Sequence, residues 1–260
     1  MGSFSIWHWL VVLVVIAVFG GGVWLVVRPK KRTEEKPIDL GGRGFRDPTR
    51  LYWWTRFFVY GFLSASALRV LVLALQFPTY LSLFNLPDAA VRNIMARMDA
   101  DPSLLEGIAD LILSTFMIIS GILILVWIYR MNYNVRQLGA QGLMAKPGWS
   151  VGWYFIPFAN LVKPWTSMEQ LWQASHNPLA WPDEPVPSFL AGWWICWIAW
   201  NIIGNVSMRV SSDIGSAGHA LWSLIFDAAW CALGVAVSFL LLRVMRGIQT
   251  SLISHHISPA

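Results

Sequence analysis

The side chains in this sequence best placed to do chemistry are charged or amide groups set among apolar neighbours. Arg69, Asp110 and Asp227 fall within or at the edge of aliphatic and aromatic runs, and Asn201 and Asn205 sit one helical turn apart in another. Such groups are costly in an apolar helix unless they pair or line a water-filled path, so these five residues form a candidate polar cluster. Counting about 1.5 Å per residue from the expected span ends puts Arg69 and Asp227 roughly 9–12 Å below the same boundary. The expected arrangement is an Arg69–Asp227 ion pair supported by Asn201 and Asn205, with Asp110 nearer the outer surface. Such a cluster either fixes helix register or offers a proton or small solute a place to bind.

Other chemistry is poorly supported. The chain has no phosphate loop, dinucleotide fingerprint, GxSxG or HExxH. Its two cysteines, Cys196 and Cys231, lie in apolar runs, which excludes a disulfide framework and any zinc spacing. Adjacent His255 and His256 occupy an expected polar tail and read as solvated. No basic face interleaved with aromatics suggests nucleic-acid binding. The reading is of a protein that is not an enzyme, with no catalytic residue, cofactor or metal, and with the lipid bilayer and other membrane proteins as partners.

The elements that must carry the cluster follow from composition. Of 260 residues, 56% are hydrophobic and 13% charged, with mean hydropathy +0.54. A water-facing domain usually carries about 25% charge, so this chain folds in lipid. Crossing the hydrocarbon takes about 20 apolar residues in a helix. Five runs reach that length: 6–27, 57–77, 108–129, 189–208 and 221–242. A sixth, 148–162, is short and centred on Pro157, and reads as a re-entrant or interfacial element. The fold class is thus an all-α integral membrane protein of five transmembrane helices plus this proline-broken element.

Orientation follows from the basic residues. Nine of them lie between Arg28 and Arg56, which assigns that stretch to the cytoplasm. Five spans then put the N-terminus outside and the C-terminus inside, with 15 basic residues on the cytoplasmic side and only Arg92, Arg97 and Arg209 outside. The organisation is an anchor helix (1–27), a basic cytoplasmic linker (28–51), a multi-span domain (52–246) and a cytoplasmic tail (247–260). The expected compartment is the inner, or plasma, membrane. Many of the 17 tryptophans sit near span ends, where an indole keeps its body in lipid and its N–H toward water.

Two stretches resemble known families. The opening MGSFSIWHWL, then Val11 to Val15, Phe19 and Gly20, resembles the N-terminus of the A/E subunit of the twin-arginine translocase. The likeness covers about the first twenty residues; the amphipathic helix that follows in that family has no counterpart here.

From Asn132 to Ser175 the chain resembles the signature of a bacterial membrane family known as domain of unknown function 4328. The likeness rests on Asn134, Leu138, Gly139, Ala140, Pro147, Gly148, Trp149, Gly152, Trp153, Pro157, Asn160, Pro164, Glu169 and Trp172. It implies a multi-span domain over about residues 52–246 and supplies no reaction.

Within the motif, Pro147 and Gly148 turn the chain, and Pro157 frees a carbonyl within reach of Asn160. Pro164 starts a helix with Trp165, Met168 and Trp172 on one face. Glu169 beside that stripe either pairs with Lys163, Arg130 or Arg136 or faces a vestibule. The function expected is a noncatalytic scaffold or interaction protein. The alternative is a small-solute or ion transporter using the Arg/Asp cluster.

Overall fold

A computed structural model describes residues 44–100, 104–212 and 215–257; of these, the side chains of 98–100 and 104–106 are not described. The described residues are helical, with no strand among them. Helix α1 runs Thr49–Ser82 and continues as a 3-10 turn, Leu83–Asn85. Next come α2 (Asp88–Ala100), α3 (Leu104–Gln137) and α4 (Pro147–Gly152). Two 3-10 turns, Trp153–Phe155 and Ala159–Leu161, lead into α5 (Lys163–His176). A further turn, Trp181–Asp183, precedes α6 (Ser188–Ser211) and α7 (Ala217–Ile257).

Four helices are long and apolar enough to cross a membrane: Thr49–Asn85, Gly107–Gln137, Ser188–Ser211 and Ala217–Ile257. The expected span 6–27 and most of the basic linker lie outside the described residues. All four helices overrun the apolar runs that signalled them. In α1 the helix continues through Pro78, because losing one hydrogen bond near a helix end costs less than abandoning the rest in apolar surroundings. Residues 247–257 are not a tail but the last turns of α7, where Ile248, Gln249 and Leu252 are buried.

Helix α7 is the centre of the bundle, packed against α6 and α1, with α3 completing the set against α1. Small residues allow the close approaches. A Cβ at Gly61 would fall 2.2 Å from the Phe116 ring, and one at Gly204 2.8 Å from the Trp230 indole. Burial is uneven along the helices. Between 17% and 33% of each span's most apolar window is buried, and Leu75 is 72% exposed. The main core lies where α3 ends and α6 begins, around Trp127, Met131, Leu171, Trp193, Met245 and Ile248. We call this the motif end. At the opposite, distal end α2 buries Val91 and Met95, one turn apart, against Leu83, Ala217 and Ala220.

Candidate functional site

Of the five candidate residues, Arg69, Asp110 and Asp227 share one neighbourhood, with different partners from those expected. Arg69 on α1 places Nη2 3.6 Å from Oδ1 of Asp110 on α3, a carboxylate 59% exposed. Asp227 on α7 instead accepts a hydrogen bond from the Ser207 hydroxyl on α6. One turn further toward the distal end, the hydroxyls of Ser211 and Ser223 meet at 2.7 Å. Cys231, one turn from Asp227, lies within electrostatic reach of Arg69, Asp227 and Asp110, so the three charges share one neighbourhood. No ion pair joins Arg69 to Asp227 among the described residues. Matching depth brought the two to one level, but helical phase turns Asp227 toward α6.

Asn201 and Asn205 do not support the cluster. On α6 the residues facing α7 are Trp200, Gly204, Ser207 and Ser211, at i, i+4, i+7 and i+11. The asparagines stand beside that stripe, and their Nδ2 atoms donate back to Trp197 O and Asn201 O, each at 2.8 Å. They line an open groove of about 440 Å³ together with Asn160, Trp197, Ile202 and Arg209.

The motif residues build the motif end chiefly by holding the chain's own backbone. Asn134, fully buried, accepts from the Arg46 amide (3.1 Å) and donates to the Arg46 carbonyl (2.8 Å), clipping the entry to α1 onto α3. Gly139 (φ 102°) ends α3 in a left-handed cap, with the Ala140 amide donating to Val135 O at 3.1 Å. Arg136 donates to the carbonyls of Leu143 (3.3 Å) and Ala145 (2.8 Å). Gln170 accepts from the Met144 amide at 2.8 Å, and Gln173 donates to Glu184 O at 2.8 Å. Trp181 donates to Gln141 O at 2.8 Å. Arg136, Gln170 and Trp181 thereby fix the loop between α3 and α4, and Gln173 fixes the loop after α5.

Pro147 opens α4, where Trp149 and Trp153 rest 4.8 Å apart and Gly152 packs under Trp149. A Cβ at Gly148 would meet nothing within 4 Å, and its place in the motif has no packing explanation. After Pro157 the chain makes a γ-type turn: Phe158 takes φ 64°, and the Ala159 amide donates to Pro157 O at 2.8 Å. Phe158 at its tip is 84% exposed. Asn160 donates its backbone amide to Ile156 O at 3.0 Å and is one of the residues that line the groove.

Pro164 lies in the first turn of α5, whose face carries Met168 and Trp172 into the core with Trp165 at its edge. Glu169 has no ion pair among the described residues. Lys163 lies over the Trp153 ring at 6.0 Å, and Arg136 is occupied by carbonyls.

Trp172 is held on three sides. His176 stacks on it at 4.4 Å, Phe189 meets it edge-on at 5.4 Å, and Gly247 of α7 passes beneath. His255 Nε2–H donates to the His176 carbonyl at 2.6 Å, and His256 stacks on Phe45 at 4.0 Å. His256 is exposed, as expected of a solvated pair, yet both rings make contacts that close the motif end. The sequence carried a signal for this contact, since Val244, Met245, Ile248 and Leu252 continue an apolar helical face past the expected span.

Among known proteins, a family profile described as "Domain of unknown function (DUF4328)" matches residues 94–250. The match begins within α2 rather than near residue 52, so α1 lies outside it although α1 packs on α7. A second similarity is short: 22 residues are 77% identical to the Sec-independent protein translocase protein TatA of Phenylobacterium zucineum (strain HLK1). It covers 8% of this chain and 31% of that protein. No solved structure matches.

Proposed function

The chain belongs to this family of unknown function, and from that premise we propose that it is a noncatalytic scaffold or interaction protein of the bacterial inner membrane. The observation that carries the reading is where the motif directs its hydrogen bonds. Asn134, Arg136, Gln170 and Gln173 hold backbone at the motif end, the pattern of residues that shape a platform. The spans, by contrast, leave most of their apolar surface outward, available to lipid or partner helices.

In this reading the motif end faces the cytoplasm, the N-terminus is outside, and 6–27 is a fifth span. The 15 basic residues assigned to the cytoplasmic side support that orientation. The element 148–162 re-enters the membrane. In support, Tyr154 meets the Trp197 ring at 5.9 Å, a level about 14 Å along α6 from its start. The exposed Phe155, Phe158 and Leu161 give its tip an apolar surface suited to acyl chains.

A second reading, a small-solute or ion pathway, draws on the groove where Asn160, Asn201, Asn205 and Arg209 meet. One experiment separates them. Photo-crosslinkers at the exposed Ile195 and Ile202 should trap discrete protein adducts in intact membranes, while cysteines at Asn201 and Asn205 stay closed to aqueous thiol reagents. Labelling of both cysteines without protein adducts would replace the scaffold with the pathway.

A further inference from the structure

We propose that Arg46 and Arg130 form a binding site for a phosphate-bearing anion at the motif end. The two belong to different parts of the chain, and the structure brings them together deliberately. Asn134 grips both backbone groups of residue 46, at 3.1 and 2.8 Å. Arg130 and Asn134 are one turn apart on α3, so the grip sets Arg46 on the helix face that carries Arg130. The Arg46 guanidinium lies 4.8 Å above the Tyr133 ring. Stacking occupies the face of the guanidinium and leaves its N–H edge free to donate.

The two cations are close enough to repel, and no carboxylate lies within ion-pair distance of either among the described residues. Asp47 is within electrostatic reach of Arg130, but its carboxylate is turned onto Thr49, 2.9 Å from the amide and 2.6 Å from the hydroxyl. His256 faces the same neighbourhood from α7. Arg130 Nε is buried and has no acceptor. A half-buried guanidinium with an unpartnered Nε, beside a second guanidinium close enough to repel it, invites a bridging oxyanion.

Phosphate oxygens suit the outer N–H groups of the two guanidinia and balance their charge. The site lies at the expected end of the third span, the level of lipid headgroups, so the anion is either the headgroup of an anionic phospholipid or a free phosphoryl group. This site goes beyond the scaffold reading and stands or falls independently of it.

The test uses the full chain in detergent, titrated with short-chain phosphatidylglycerol, phosphatidylcholine of the same chain length, and inorganic phosphate, with thermal shift as readout. Phosphatidylglycerol or inorganic phosphate should stabilise the wild type, and phosphatidylcholine should not. R46Q and R130Q should each weaken binding about tenfold, the loss expected for one charge-assisted contact. R46K, which keeps the charge but loses the planar fork, should also weaken it, and the exposed control R50Q should not.

A preference for phosphatidylglycerol assigns the site to lipid; displacement of that lipid by inorganic phosphate at comparable concentration assigns it to a free anion. The proposal is overturned if neither ligand distinguishes wild type from R46Q and R130Q, or if R50Q costs as much as they do.

Discussion

Replacing Gly247 by alanine tests the packing of α5 on α7, on which the whole motif end depends. A methyl group there would stand 2.4 Å from two atoms of the Trp172 ring. Carbon atoms rest about 3.5–4.0 Å apart, so the ring must retreat by more than about 1 Å. It has little room, because His176 stacks on one face and Phe189 meets it edge-on, itself covered by Arg243 at 4.3 Å. Overpacking of this kind costs about 1–3 kcal/mol. Alanine in place of glycine returns about 0.8–1.0 kcal/mol through helix propensity, so the net loss centres near 1 kcal/mol.

Gly121→Ala on α3 is the matched control, because nothing lies within 4 Å of the added carbon and only the propensity gain remains. At about 2–4 °C per kcal/mol, and taking the middle of the overpacking range, Gly247→Ala should melt about 4–8 °C below Gly121→Ala. Tryptophan fluorescence on the detergent-solubilised chain reads both. Adding Trp172→Leu to Gly247→Ala should shrink the penalty attributable to the alanine. Equal melting temperatures for the two alanine variants would refute the close α5–α7 contact.

Three further outcomes follow from the contacts above. Asn134→Ala leaves the amide and carbonyl of Arg46 without their partner, costing about 1–3 kcal/mol for each group that water cannot reach, and limited proteolysis should then cut near residue 46. Exchanging the charges of Arg69 and Asp110 should recover most of the stability lost in either single reversal, whereas exchanging Arg69 and Asp227 should not, as thermal unfolding of the set will show. Two hydrogen bonds from Thr49, hydroxyl first, hold the Asp47 carboxyl below its ordinary range. The stability it contributes is therefore present above the unfolded carboxyl value, about 3.9, and lost as pH falls through the lower folded value. Asp47→Asn should flatten this part of a melting-temperature profile between pH 5 and 3.

What the sequence made legible follows from the physics of lipid. Four apolar runs became helices because no other backbone arrangement satisfies itself there, and the stripe of Met168 and Trp172 was readable from spacing alone. The partners of Arg69 were not readable. Residue counting gives depth along an axis, while the direction of Asp227 depends on how α7 is rotated against α6. Ser207, Ser211, Ser223 and Asp227 did carry a signal, since two i, i+4 polar pairs on consecutive antiparallel helices can meet. The grip of Asn134 left none, because its target is the backbone of a residue 88 positions earlier, and backbone has no sequence identity.

The meeting of Phe45 with His256 sets an order on biogenesis. Residue 46 is translated early, yet its clip waits for Asn134, and the ring beside it waits for the last turn of α7. Each candidate span can enter the bilayer as it is made, but the motif end stays open until the last turns of α7 have left the ribosome. A chain stopped short of residue 244 would keep enough of α7 to cross a bilayer while lacking Met245, Ile248 and Leu252, and would expose the tryptophan-rich surface that they cover.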